Sequence, residues 1–125
     1  MSDGMSDHWH ALVGECYSAA ELAAVLGITV DALRHLPVLE VETDSGALLY
    51  PAFQVVSFGE LNAVIVDAVI SLAPHMREAD IALWLSRPHL GLGDLSPRQW
   101  LDAGGNPDDV LVFATVTARR RAREN

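Results

Sequence analysis

A chain of 125 residues with half of its side chains apolar is long enough for one domain, or for two very small helical units sharing a core. Its one cysteine, Cys16, cannot form an internal disulfide, so nothing calls for an oxidising compartment. The longest apolar run, residues 63–73, is broken by Asp67 and Ser71, and no basic segment precedes an apolar stretch at the N-terminus. The expectation is a cytoplasmic protein with neither a membrane span nor a signal peptide.

All eight cations are arginine, and they are unevenly placed. Residues 1–118 carry four Arg against sixteen Asp and Glu, net −12, whereas residues 119–125 carry four Arg against Glu124, net +3. An acidic body repels a phosphate backbone unless its few cations cluster. The basic end suits either a partner or simply the negative pole of a helix.

Residues 1–15 lack a sustained period and read as a flexible N-terminus from which Trp9, Leu12 and Val13 dock. Ser18 and Glu21 form a capping box, with Tyr17 and Leu22 as a hydrophobic staple, so a helix starts at Ser18 and stops at Gly27. Thr29 caps a second helix that ends at Leu36, ahead of Pro37. Residues 38–43 and 47–50, separated by Asp44-Ser45-Gly46, read as a hairpin closed by Pro51. Ser57 and Glu60 make a second capping box and predict a helix over 57–73, apolar nearly all round and hence central or part of a subunit interface.

A helix from about Met76 to Ser86 must end before Pro88. Ser96-Pro97-Arg98-Gln99 starts a short helix that Gly104 ends, and Asn106-Pro107-Asp108-Asp109 starts the last one. Trp84 and Trp100 are expected to bury large apolar areas against each other or a neighbour.

The pattern from Glu21 to Leu36, with a small residue in the first helix, Gly27 in the turn and apolar residues at packing positions, fits a helix-turn-helix. The hairpin directly after it makes the unit similar to a winged helix-turn-helix of the MerR-like kind. Its second helix would offer Thr29, Arg34 and His35 to DNA, with Asp31 beside them. The hairpin adds Glu40, Glu42 and Asp44 and no cation, so Gln54 is the nearest other polar help. A packing or dimerisation module is the competing reading of the same unit.

Catalytic signals are sparse. His8 and His10 make an H-x-H in the expected flexible end, without a carboxylate or cysteine at ligand spacing. Cys16 has no C-x-x-C partner, and His35, His75 and His89 are scattered at helix ends and loops. No nucleotide-binding or zinc-helix motif is present, so neither an enzyme nor a bound cofactor or metal is expected.

Residues Asp80–Pro88 with Trp84-Leu85, the loop Leu90–Leu95, then Ser96–Leu101 with Trp100-Leu101, and Gly104–Val110 resemble the toxin-binding domain of the Xre/MbcA/ParS antitoxins, over roughly 60–118. The N-terminal half, through Tyr50-Pro51-Ala52-Phe53-Gln54, resembles an actinobacterial arrangement in which a winged helix-turn-helix precedes the same C-terminal helices, and whose members are described as DNA-binding. The antitoxin resemblance implies a non-enzymatic homodimer that binds a toxin, often of the NAD-consuming RES type, and represses its own operon. It also implies that the partner is met by Arg119, Arg120, Arg121 and Arg123. The winged N-terminal half and the acidic surface depart from that pattern and weigh more against operator binding than against toxin binding.

Taken together, the expected fold is mainly α: a flexible segment 1–15, a winged helix-turn-helix-like unit with a short β-hairpin over 16–54, and a helical toxin-binding-like bundle with an Arg-rich tail over 55–125. The expected function is that of an antitoxin-like protein. The alternatives are a winged-helix transcription regulator without a toxin and a dimerisation or scaffold module.

Overall fold

The computed structural model describes residues 4–56 and 59–124, with backbone alone for residues 4–8. The first helix, α1 (Gly4–Val13), lies where a flexible end was expected. What docks it is the burial of Trp9 and Val13 in the main core, together with a tie from far along the chain: Arg98 Nη1 donates to the Val13 carbonyl at 2.7 Å. That carbonyl is one of the helix-end acceptors left without an intrahelical donor. Leu12 stays 39% exposed and takes little part.

A two-residue strand, β1 (Cys16–Tyr17), leads into α2 (Ala19–Leu26). The Ser18 and Glu21 capping box forms as the spacing predicts, with the Glu21 amide donating to Ser18 Oγ at 3.2 Å and the Ser18 amide donating to Glu21 Oε1 at 2.9 Å. Gly27 ends the helix in the left-handed conformation, φ 70°. Thr29 Oγ1 accepts the Ala32 amide at 3.1 Å and caps α3 (Val30–Leu33), which is shorter than expected; its last turn loosens into i to i+3 bonds from His35 and Leu36. Strands β2 (Val41–Glu42) and β3 (Leu48–Pro51) form the hairpin. The three strands make an antiparallel sheet in the order β1-β3-β2, with Tyr17 opposite Tyr50 and Val41 opposite Leu49.

The helix expected to start at Ser57 starts instead at Ala63. Residues Val55–Val56 (β4) and Glu60–Leu61 (β5) pair as a tight antiparallel hairpin, and Asn62 caps α4 (Ala63–Leu72) by accepting the Val64 and Ile65 amides. Glu60 is therefore in a strand, while Ser57 lies outside the described residues. The turn needs Gly59 twice over: its φ is 73°, and a Cβ there would overlap the Val25 carbonyl oxygen of α2.

The remaining helices follow the breakers closely: α5 (Glu78–Ser86), α6 (Pro97–Asp102) and α7 (Pro107–Glu124). The Ser96 and Gln99 capping box is present, and Gln99's amide donates to Ser96 Oγ at 3.2 Å. The main core joins α1, α4, α5 and α7 through residues such as Val13, Ile65, Leu72, Ile81, Leu85 and Ala114, and a second, smaller core under α2 and α3 is built on Leu22, Leu33, Val38 and Tyr50. The chain is mainly α with a small antiparallel sheet.

The two tryptophans separate. Trp84 is 7% exposed and lies against His89 and Phe113, each at 5.5 Å between ring centroids. Trp100 is only half-buried; its Nε1 donates to the Asn106 carbonyl at 2.9 Å and its ring covers Gly105, where a Cβ would collide with the indole.

Two stability outcomes are expected. In a chemical denaturation series, Trp84→Ala should lower stability by about 3–5 kcal/mol, and Trp100→Ala by clearly less, because its indole is already partly in water. Gly59→Ala should cost about 1–3 kcal/mol from the overlap with α2 and about 1–2 kcal/mol more for a left-handed non-glycine residue; an unchanged denaturation midpoint would refute the close approach.

Candidate DNA-facing helix and arginine-rich tail

The residues singled out from the sequence gather in two places. Thr29 lies at the start of α3 and Arg34 and His35 in the turn that trails it, all three exposed, with Leu33 turned into the small core beneath. Thr29 is partly committed, since its hydroxyl oxygen caps the helix. Arg34 Nη1 sits 3.9 Å from Asp31 Oδ1 in a pair whose side chains are 73% and 92% exposed. An exposed pair of this kind is worth about 0–1 kcal/mol, so the guanidinium is easily released to an anion.

Sequence reasoning missed what stands next to Arg34. Tyr50 Oη donates to Glu40 Oε2 at 2.5 Å, and the charges of Glu78 and Arg34 also reach the phenol. Burial first, then the bond to Glu40 and the charges of Glu40 and Glu78, push the Tyr50 hydroxyl up to about 12, with Arg34 opposing. Glu78, in the first turn of α5, is raised above the usual carboxylate range by burial and by Glu40. These groups are 38 residues apart at the extremes, and only the packing of β2 against α5 brings them together. The charge of Arg34 is thus felt by a small acidic cluster around Tyr50.

Gln54 is not available to a ligand. It is 2% exposed, and its side chain holds the Leu39 backbone from both sides, accepting the Leu39 amide at 2.8 Å and donating to the Leu39 carbonyl at 3.1 Å. This corrects its reading as an extra polar contact for DNA. Arg98 is likewise spent on structure, bonded to Val13 and lying over the Phe53 ring at 5.1 Å. The Cys16 thiol, half-buried and pushed up by burial, donates to the Gly14 carbonyl at 3.6 Å.

The second place is the end of α7. Arg119, Arg120, Arg121 and Arg123 are all exposed, and among the described residues none of them makes a salt bridge. Arg119, Arg120 and Arg123 with Val116 line an open groove of about 310 Å³, and Arg119 also borders a second groove against Ser71 of α4 and His75 in the turn after it. Of the H-x-H pair, the His8 side chain lies outside the described residues, and no cluster of three metal-ligating side chains occurs among those described. Among the described residues no helix is long and apolar enough to cross a membrane.

No protein-family model and no curated protein matches the chain. Among solved structures, the NMR structure of Rv2175c is similar to it with a TM-score of 0.70, covering 83% of this chain and 81% of that one at 20% identity. The two share a fold that runs through both halves of the chain.

Glu78 yields a pH outcome. Because its folded-state pKa lies above its unfolded value, it lowers stability once pH rises through the carboxylate range, and the penalty vanishes below about pH 4. Glu78→Gln should therefore raise the melting temperature at pH 7 and leave it unchanged near pH 4, as read by scanning calorimetry at both values.

Proposed function

We propose that this chain is a non-enzymatic, DNA-binding regulator built on a winged helix-turn-helix. The observation that carries the reading is the connectivity of its N-terminal half: helix, strand, helix, helix, strand, strand, with the first strand paired to the last in an antiparallel sheet. In that order α2 and α3 are the helix pair, α3 is the element offered to a groove, and the β2–β3 turn at Asp44-Ser45-Gly46 is the wing. The exposure of Thr29, Arg34 and His35 at the two ends of α3 suits contact with bases and phosphates, with Arg34 the strongest reader among them. The acidic wing and the Glu40 and Glu78 cluster oppose nonspecific attraction, so affinity rests on few cations and is modest for a single copy.

A second reading, that of an antitoxin-like protein, is favoured by one observation: the four arginines at the end of α7 stand exposed and without acidic partners among the described residues. A helical cationic end of that kind suits an acidic or phosphate-binding cleft on another protein. In this reading Arg119, Arg120, Arg121 and Arg123 meet a toxin, and the winged unit serves autoregulation.

Fluorescence anisotropy with duplexes from upstream of the chain's own gene separates the two. Specific binding should weaken steeply as salt is raised, and Arg34→Ala should cost about tenfold or more in affinity. Absence of DNA binding at low salt, combined with a stable complex between the chain and the product of an adjacent gene that is lost on deleting residues 119–125, would replace the first reading with the second.

A further inference from the structure

The outward face of α7 carries an ordered pattern that neither DNA contact nor the core explains. Val110, Ala114, Thr117 and Ala118 turn inward. On the opposite side, within an arc of about 120°, lie Asp108 and Asp109, then Val112 and Val116, then Arg119 and Arg120, all exposed. Val112 is 62% and Val116 53% exposed, in a helix whose other large apolar side chains, Val110, Leu111 and Phe113, are covered or half-covered. The loop that packs on α7 carries the most exposed large apolar side chain described, Leu90 at 88%. Its neighbours in sequence both lie against Phe113: the His89 ring is 4.6 Å from the Phe113 ring, and a Cβ on Gly91 would sit 3.5 Å from it. The loop thus lies against α7 at Phe113, with Leu90 pointing into solvent.

Acid, apolar, apolar, base is a self-complementary order along a helix. We propose that this face is where two copies of the chain associate, α7 against α7, antiparallel about a two-fold axis at the level of Ala114. Val112 then faces Val116 of the second copy, Asp109 faces Arg119 and Asp108 faces Arg120, and each contact occurs twice, as a two-fold interface requires. The reversed, parallel pairing would set acid against acid and base against base, so charge selects the antiparallel one. The apolar contacts of Val112 and Val116 supply the area that leaves water, and the exposed ion pairs at the rim fix orientation and register. Arg121 and Arg123 are not used in this pairing and stay available to phosphate or to a protein.

The interface places two α3 helices in one particle, which suits an operator with two half-sites, but it stands or falls independently of DNA binding. Sedimentation velocity on the full chain tests it. Wild type should be dimeric at tens of micromolar, and Val116→Asp should be monomeric there. Asp109→Arg should weaken association by about tenfold or more by setting like charges opposite each other, and adding Arg119→Asp should restore it. All three positions are exposed, so thermal melts monitored by circular dichroism should keep their shape, and the charge-swap rescue distinguishes a lost interface from a lost fold. A wild-type chain that stays monomeric at those concentrations, or a dimer indifferent to Val116→Asp or to the single charge reversal, overturns the proposal. An intact dimer in an Arg34→Ala variant that no longer binds DNA leaves it standing and bears only on the DNA reading.

Discussion

The paired hydrogen bonds between Gln54 and the Leu39 backbone tie the molecule together. Val38 belongs to the small core under α2 and α3, and the next residue, Leu39, belongs to the main core of α1, α4, α5 and α7. At that crossing the backbone is buried and has no strand to pair with. Gln54 supplies the missing donor and acceptor from one side chain, in the manner of a neighbouring strand. An unmet buried amide and carbonyl would each carry a desolvation cost of about 1–3 kcal/mol, so the amide group makes the passage between the cores tolerable.

Other features follow from that junction. Because Leu39 is held, β2 can start at Val41 and lie near α5, which brings Glu40 toward Glu78 and places the Tyr50 hydroxyl between the acids. Because Gln54 itself is held, the chain can turn back through β4 and β5, whose Gly59 lets the hairpin nest against α2. The bulk of the helical half and the helix pair of the N-terminal half thereby become one folded body with a sheet at their seam. The position of α3 relative to the bundle is a consequence of packing around Gln54 and owes little to α3 itself, a helix of four residues.

The charge distribution gains meaning in the same way. Of the four arginines in the acidic body, Arg98 holds the end of α1, while Arg34 and Arg77 pair loosely with Asp31 and Asp80. Arg87, just past the end of α5, and the arginines of α7 are exposed and make no salt bridge among the described residues. The chain therefore offers cations at separated places, beside α3, at Arg87 and at the end of α7, on an otherwise acidic body. A surface arranged like that favours selective contacts over general attraction to nucleic acid.

The sequence by itself determined most local boundaries: the capping boxes at Ser18 and Ser96, the Gly27 stop, the Thr29 cap, and the starts of α6 and α7 sit where their residues require, because a cap or a breaker acts within four residues of itself. It also pointed to mainly α architecture with one hairpin. Tertiary structure decided what depends on distant partners. Cys16-Tyr17 became a strand only by meeting Tyr50-Pro51, and α1 became fixed only by burial of Trp9 and the bond from Arg98. The same Ser-x-x-Glu spacing that caps α2 was overridden at 57–60, where Gly59 against Val25 made a hairpin the better packing and Asn62 took over the cap. Trp84 and Trp100 look alike in sequence, yet one lies in the core and the other half in water, since burial is set by which element arrives opposite and not by the residue's own preference.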